Sequence, residues 1–190
     1  MRVFFCIELP TQVKEQIAHI SSMLKQVDTR VSWVRQENLH ITLKFLGEVS
    51  SDQIKALKEI GRNAIRNTAL NESVHLEFNK YGGFPNLNNP RVIWLGCHEE
   101  PKELQLLVQN LGSELKKIGI QTDQKRLTTH VTIGRIKDPN SNTEKLTNLM
   151  EKAESFEIPN EIDNMTLMKS ELSPDGSIYT PIFQIPRSNR

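Results

Sequence analysis

Asn38-Leu39-His40-Ile41-Thr42-Leu43 and Thr128-Thr129-His130-Val131-Thr132-Ile133 carry the same pattern, His-aliphatic-Thr-aliphatic, ninety residues apart. In each stretch apolar residues alternate with polar ones, the period of a strand with one buried face. Around the first copy, Leu39, Ile41, Leu43 and Phe45 fall on one face and His40, Thr42 and Lys44 on the other. Around the second, Val131 and Ile133 oppose His130 and Thr132. Two matched strands this far apart point to two related halves facing each other.

The chemistry follows from the spacing. Residues two apart on a strand project to the same side, roughly 7 Å from each other. Each motif therefore presents one imidazole and one hydroxyl. If the two polar faces meet, two histidines and two threonines share one groove. That set suits phosphodiester chemistry without a metal. A neutral imidazole takes a proton from water while a protonated one gives a proton to the leaving oxygen. The hydroxyls of Thr42 and Thr132 donate hydrogen bonds to non-bridging phosphate oxygens. Two histidines without a clustered third ligand do not form a zinc signature, so no metal or other cofactor is expected. Which histidine is the acid is left open by the spacing.

Away from the motifs, strand and helix periods interleave. Arg2–Leu9 reads as a strand stopped by Pro10, and Thr11–Asp28 as a helix burying Val13, Ile17, Ile20, Leu24 and Val27. Val31–Val34 is a short strand, and Leu39–Val49 is the clearest one. Ser50 and Gln53 form a capping box ahead of a helix carrying Ile54, Leu57, Ile60, Ala64 and Ile65. Val74–Phe78 is a strand, Tyr81–Pro90 a loop rich in Gly, Pro and Asn, and Arg91–Cys97 a nearly continuous apolar strand. Leu104, Leu107, Val108, Leu111, Leu115 and Ile118 mark the strongest helix. A strand over Leu127–Ile136, a helix over Thr143–Ala153 and a hairpin of Met165–Leu172 with Ser177–Ile185 complete the chain. Several strands follow one another directly, which predicts an α+β fold with antiparallel sheets.

The 190 residues, 37% hydrophobic and 25% charged, fit one globular domain spanning 1–190, with no linker inside it. A formal charge of +1 argues against a general nucleic-acid coat protein and leaves room for a local phosphate site. No apolar run reaches the ~20 residues needed to cross a bilayer. The opening MRVFFCIELP lacks the length and small-residue site of a secretory leader. Cys6 and Cys97 lie far apart in apolar runs, as buried reduced thiols do. A cytoplasmic monomer without membrane contact is the expectation. His19, His75 and His98 read as surface or strand-end residues without a catalytic role.

These residues resemble the 2H phosphoesterase superfamily, and within it the RNA 2′,3′-cyclic phosphodiesterases, historically called 2′-5′ RNA ligases. The likeness spans nearly the whole chain: the run from Arg2 to Pro10, Trp33-Val34, Glu37 to Val49, Phe84-Pro85, Pro90 to Gly96, His130 to Arg135, Ser170 to Gly176, and Tyr179. It implies a two-lobed, pseudo-symmetric fold with two antiparallel sheets facing a central groove and helices outside. It also implies hydrolysis of a 2′,3′-cyclic phosphate end of RNA or a nucleotide to a 2′-phosphate. By that resemblance His40 is the proton donor, His130 the proton acceptor, Thr42 and Thr132 bind the phosphate, and Arg135 contacts substrate. The chain departs from the family ahead of His130, where Arg126-Leu127-Thr128-Thr129 replaces an aromatic and a proline. Strict alternation puts Arg135 on the face opposite His130, so its contact requires a bulge near Gly134. Lys44 and Arg126 are further candidate charges, and Phe84, Trp33 and Tyr179 candidate stacking faces. The same acid and base also serve the reverse reaction, 2′-5′ end joining, and a non-catalytic RNA-binding module is the alternative of another class.

Overall fold

The computed structural model describes residues 1–26, 30–68, 74–123, 125–138, 143–152, 156–174 and 176–187. Strands β1 (Arg2–Glu8), β2 (Val31–Trp33), β3 (His40–Glu48), β4 (Val74–Phe78), β5 (Lys80–Phe84), β6 (Val92–Gly96), β7 (His130–Ile136), β8 (Ile158–Ile162), β9 (Asn164–Ser173) and β10 (Gly176–Pro186) interleave with four helices. These are α1 (Thr11–Lys25), α2 (Ser51–Arg66), α3 (Lys102–Lys117) and α4 (Glu144–Lys152). Every strand pairing is antiparallel. The fold is α+β, as the interleaved periods predict.

One sheet runs β10-β9-β1-β3-β7-β6-β5, with β2 added on β7, and a second sheet pairs β4 with β8. The order is two-fold symmetric. The run β1-α1-β3-α2-β4-β5 is repeated as β6-α3-β7-α4-β8-β9. In space β9-β1-β3 mirrors β5-β6-β7, and the equivalent strands β4 and β8 pair with each other. The helices cross over: α1 packs against β7 and α3 against β3. Each half thus covers part of the other's sheet, so neither buries its apolar face alone.

The core lies between the helices and one face of the large sheet. Val13, Ile17, Ile20 and Leu24 of α1 and Leu104, Leu107, Val108, Leu111 and Leu115 of α3 meet Val3, Phe5, Ile7, Ile41, Ile93, Leu95, Val131 and Ile133. Burial of each such side chain is worth about 1.5–3 kcal/mol, and a one-residue slip of any strand would expose its whole set. The capping box forms as predicted: Gln53 N–H donates to Ser50 Oγ at 3.3 Å and Ser50 N–H to Gln53 Oε1 at 2.9 Å. Among the described residues no helix is long and apolar enough to cross a membrane. Cys6 and Cys97 are buried free thiols. Burial raises the pKa of both, that of Cys97 to about 11.

Several expectations need correction. Tyr81–Pro90 is not all loop, because Lys80–Phe84 forms β5 against β6. Its glycines serve packing rather than a turn. A Cβ on Gly82, or one on Gly96, would fall against the Trp94 ring, which lies flat in the space both leave. The strand predicted from Leu127 begins only at His130. Ile158–Ile162 forms β8, a strand for which the sequence carries no expectation, although it contains Pro159. The proline is tolerated because, among the described residues, β8 has β4 as its one neighbour. Val27, Asp28, Ala153 and Asp175, within the predicted helices and hairpin turn, lie outside the described residues.

Candidate active site

Both motif strands carry a bulge at the same place. Along β1–β3, Cys6 pairs with Thr42 and Phe5 with Lys44, so Leu43 is the extra residue. Along β6–β7, Trp94 pairs with Thr132 and Ile93 with Gly134, so Ile133 is extra. A bulge swaps the faces of everything after it. Lys44, expected beside His40 and Thr42, turns into the core at 5% exposure, where its Nζ donates to the Asp123 carbonyl at 2.5 Å and to Oδ1 at 3.3 Å. Phe45, expected in the core, turns to the His40 face and is 63% exposed. In the other half the same swap carries Arg135 to the His130 face, through the bulge that its contact requires. Phe45 and Arg135 are therefore equivalent positions of the two halves with opposite chemistry.

The two polar faces line one cleft of about 440 Å³. His40, Thr42, His130, Thr132 and Arg135 all border it, with Phe45, Phe84 and Tyr179. Lys125, Arg126 and Arg135 make the described lining basic, although the chain is close to neutral; Lys44 at its border is buried and paired with Asp123. Trp33 is not among the lining residues. It packs over Gly134 instead. His19, His75 and His98 are also absent from the lining.

Each imidazole is oriented in the same way. The Nδ1–H of His40 donates to the Asn38 carbonyl at 2.7 Å, and that of His130 to the Thr128 carbonyl at 2.6 Å. A carbonyl only accepts, so Nδ1 carries the proton and Nε2 is the edge left for chemistry. His40 Nε2 already lies 3.0 Å from Thr42 Oγ1. Aromatic rings hold the imidazoles in place. His40 packs against Phe4 and Tyr179, with both ring centroids 5.1 Å away. His130 packs against Phe84 at 5.0 Å and Trp94 at 5.7 Å.

Burial lowers the pKa of both histidines. For His40 the positive charges of Lys14 and His130 add to that effect, while the Asn38 carbonyl and Glu8 oppose it. For His130 the Thr128 carbonyl and Glu100 oppose burial, and Arg135 reinforces it. Both rings therefore favour the neutral form at pH 7. A bound phosphate anion would favour the imidazolium.

Three contributors to this geometry have no sequence signal of their own. Asn38 reaches across to the β9–β10 hairpin, its Nδ2 donating to the Ser177 carbonyl at 3.0 Å. Gln105 of α3 brackets Leu127, donating to its carbonyl at 2.7 Å and accepting from its N–H at 3.2 Å. Glu100 accepts from the Thr129 N–H at 2.9 and 3.2 Å. Only tertiary contact brings Gln105 and Glu100 beside the approach to His130. Among the described residues no three His, Cys, Asp or Glu side chains converge as metal ligands.

The chain is similar to known proteins over nearly its whole length. The family described as "LigT like Phosphoesterase" matches residues 7–94 and again residues 95–179, once for each half. The RNA 2′,3′-cyclic phosphodiesterase of Thermotoga maritima is 33% identical over 184 residues, covering 97% of this chain and 94% of its own. That of Methanothermobacter thermautotrophicus is 32% identical over 95% of both chains. The crystal structure of E. coli LigT complexed with 3′-AMP superposes with a TM-score of 0.78 at 27% identity, covering 99% of this chain and 98% of its own. With its two matched halves and its full-length likeness to these enzymes, the chain belongs to the LigT-like phosphoesterase family of the 2H superfamily.

Proposed function

We propose that this protein hydrolyses 2′,3′-cyclic phosphate ends of RNA or nucleotides to 2′-phosphomonoesters, using two histidines and no metal. The observation that carries the reading is the matched orientation of His40 and His130, each with Nδ1–H on a backbone carbonyl and both bordering one cleft. The relatives, RNA 2′,3′-cyclic phosphodiesterases, supply the substrate class.

Neutral His130 accepts a proton from water at Nε2 as the water oxygen attacks phosphorus. Protonated His40 gives its Nε2 proton to the 3′-oxygen as the P–O3′ bond breaks, leaving the phosphate on the 2′-oxygen. Protonation of His40 Nε2 ends its acceptance from the Thr42 hydroxyl, whose proton is then free to bond a phosphate oxygen. Thr132 supplies the equivalent bond from the other half. Arg135 adds positive charge on the His130 side, where the entering oxygen brings negative charge.

The test is incubation with 2′,3′-cyclic AMP and with cyclic-ended oligonucleotides in excess chelator, followed by assignment of the product isomer. Turnover to the 2′-phosphate is the expected result. A rate lost in chelator and restored by a divalent ion rejects the metal-free mechanism, and a 3′-phosphate product rejects the assigned leaving group. Binding without turnover would favour a non-catalytic RNA-binding module. Supplying a 5′-hydroxyl oligonucleotide shows whether the reverse reaction, 2′-5′ joining, also runs.

A further inference from the structure

The two histidines are oriented by carbonyls that are themselves held in different ways. The Asn38 carbonyl belongs to a 3-10 turn, Gln36–Asn38, closed by its own backbone bonds: Asn38 N–H to the Arg35 carbonyl at 2.9 Å and Leu39 N–H to the Gln36 carbonyl at 3.2 Å. Among the described residues no backbone bonds of this kind frame the Thr128 carbonyl. Residues 127–129 precede the β7 ladder, and their described bonds on either side of Thr128 run to two side chains, Gln105 and Glu100. Thr129 is completely buried, so its N–H would lack water if Glu100 were removed.

We propose that Gln105 and Glu100 are positioning residues for His130, clamping the peptides on both sides of Thr128 so that its carbonyl fixes the His130 tautomer. Gln105 bonds both the N–H and the C=O of Leu127, which belong to the two successive peptides on either side of its Cα, and so fixes the backbone of that residue. Glu100 holds Thr129 by a forked bond to one N–H. The Thr128 carbonyl shares its peptide with the Thr129 N–H, so the Glu100 bond, with Leu127 fixed before it, keeps the carbonyl aimed at His130 Nδ1, and Nε2 stays free of its proton and turned to the cleft. Glu100, Arg135 and His40 are the charged or titratable groups that bear on this ring, and Glu100 is the one that also makes the clamp. The catalytic consequence rests on His130 being the proton acceptor, whereas the tautomer itself does not.

The experiment is ¹⁵N NMR of the histidine side chains, with steady-state kinetics, in the parent protein and in Gln105→Met, Glu100→Ala and Glu100→Gln. In Gln105→Met and Glu100→Ala, neutral His130 should shift from one Nδ1–H form to a mixture of tautomers, with His40 unchanged as the internal control. Their kcat should fall by roughly tenfold with KM nearly constant, as expected when a proton acceptor is misaimed. Glu100→Gln keeps an oxygen for Thr129 N–H and should retain the parental tautomer and most of the rate. An unchanged His130 tautomer in Gln105→Met overturns the proposal, as does an equal disturbance of His40 and His130. If Glu100→Ala fails to fold, Gln105→Met alone decides. A near-parental rate in His130→Ala would instead overturn the proton-acceptor reading, and the tautomer measurement is independent of it.

Discussion

Ile41 of β3 pairs with Val131 of β7, and among the described residues this is the one registered pair between the two motif strands. Both side chains are fully buried on the core face, so the residues flanking them point the other way, into the cleft. The antiparallel sense places His40 on the side of Thr132 and Thr42 on the side of His130. Each imidazole thus has a hydroxyl from its own strand and another from the facing strand. One apolar contact, repeated by symmetry in its surroundings, brings four polar side chains together.

Removing either imidazole should abolish one proton transfer. His40→Ala and His130→Ala should each lower kcat by at least ~100-fold, with circular dichroism and melting temperature near those of the parent. A substrate whose leaving group needs no proton should restore His40→Ala but not His130→Ala. Rescue of the other variant would reverse the assignment of acid and base.

Burial holds the pKa values of both histidines below the ordinary 6.5. The singly protonated enzyme is therefore most abundant below pH 6.5, and kcat/KM for a cyclic mononucleotide should peak there and decline toward pH 8. Stability follows the same shifts. Above 6.5 the neutral rings cost nothing, and as the pH falls through 6.5 the unfolded chain takes up protons first, so stability drops. Between pH 8 and pH 5 the parent should lose more thermal stability than His40→Asn/His130→Asn. Equal losses would show that the two rings are not the groups responsible.

The threonines should differ in one respect. Thr42→Val and Thr132→Val should each weaken transition-state binding by about 1–3 kcal/mol through a lost bond to charged oxygen. Of the two threonines, Thr42 is the one described within hydrogen-bond distance of an imidazole. Thr42→Val should therefore also alter the His40 titration followed by NMR, with Thr132→Val leaving it in place. Two variants with parental kinetics would remove the phosphate role.

Arg135 and Phe45 hold equivalent positions and should fail differently. Arg135→Met removes charge from the cleft and should raise KM for cyclic nucleotides by roughly tenfold, an effect that shrinks as salt is added. Phe45→Ala removes an exposed ring from the opposite side and should leave the salt dependence unchanged. If Arg135→Met bound substrate like the parent at low salt, its place in recognition would be lost.

Alternation and periodicity alone defined much of this protein. The His-x-Thr strands, the amphipathic helices and the capping box at Ser50 are local patterns. Each records which side of an element meets the core, and a chain must bury those sides to fold at all. The α+β class and the pairing of two similar halves follow from the same information. Tertiary structure decided what alternation cannot encode. The bulges at Leu43 and Ile133 break the period where strands of unequal residue count must stay in register, and they alone move Lys44 inward and Phe45 and Arg135 outward. Strand β5 was hidden because Gly82 and Gly83 normally signal a turn, and only the Trp94 ring lying against β5 from β6 shows why glycine is needed in a strand. Gln105 and Glu100 were silent because a single polar residue on a helix or in a loop has no period. Their partners at Leu127 and Thr129 are set by where α3 docks, a matter of packing between segments distant in sequence.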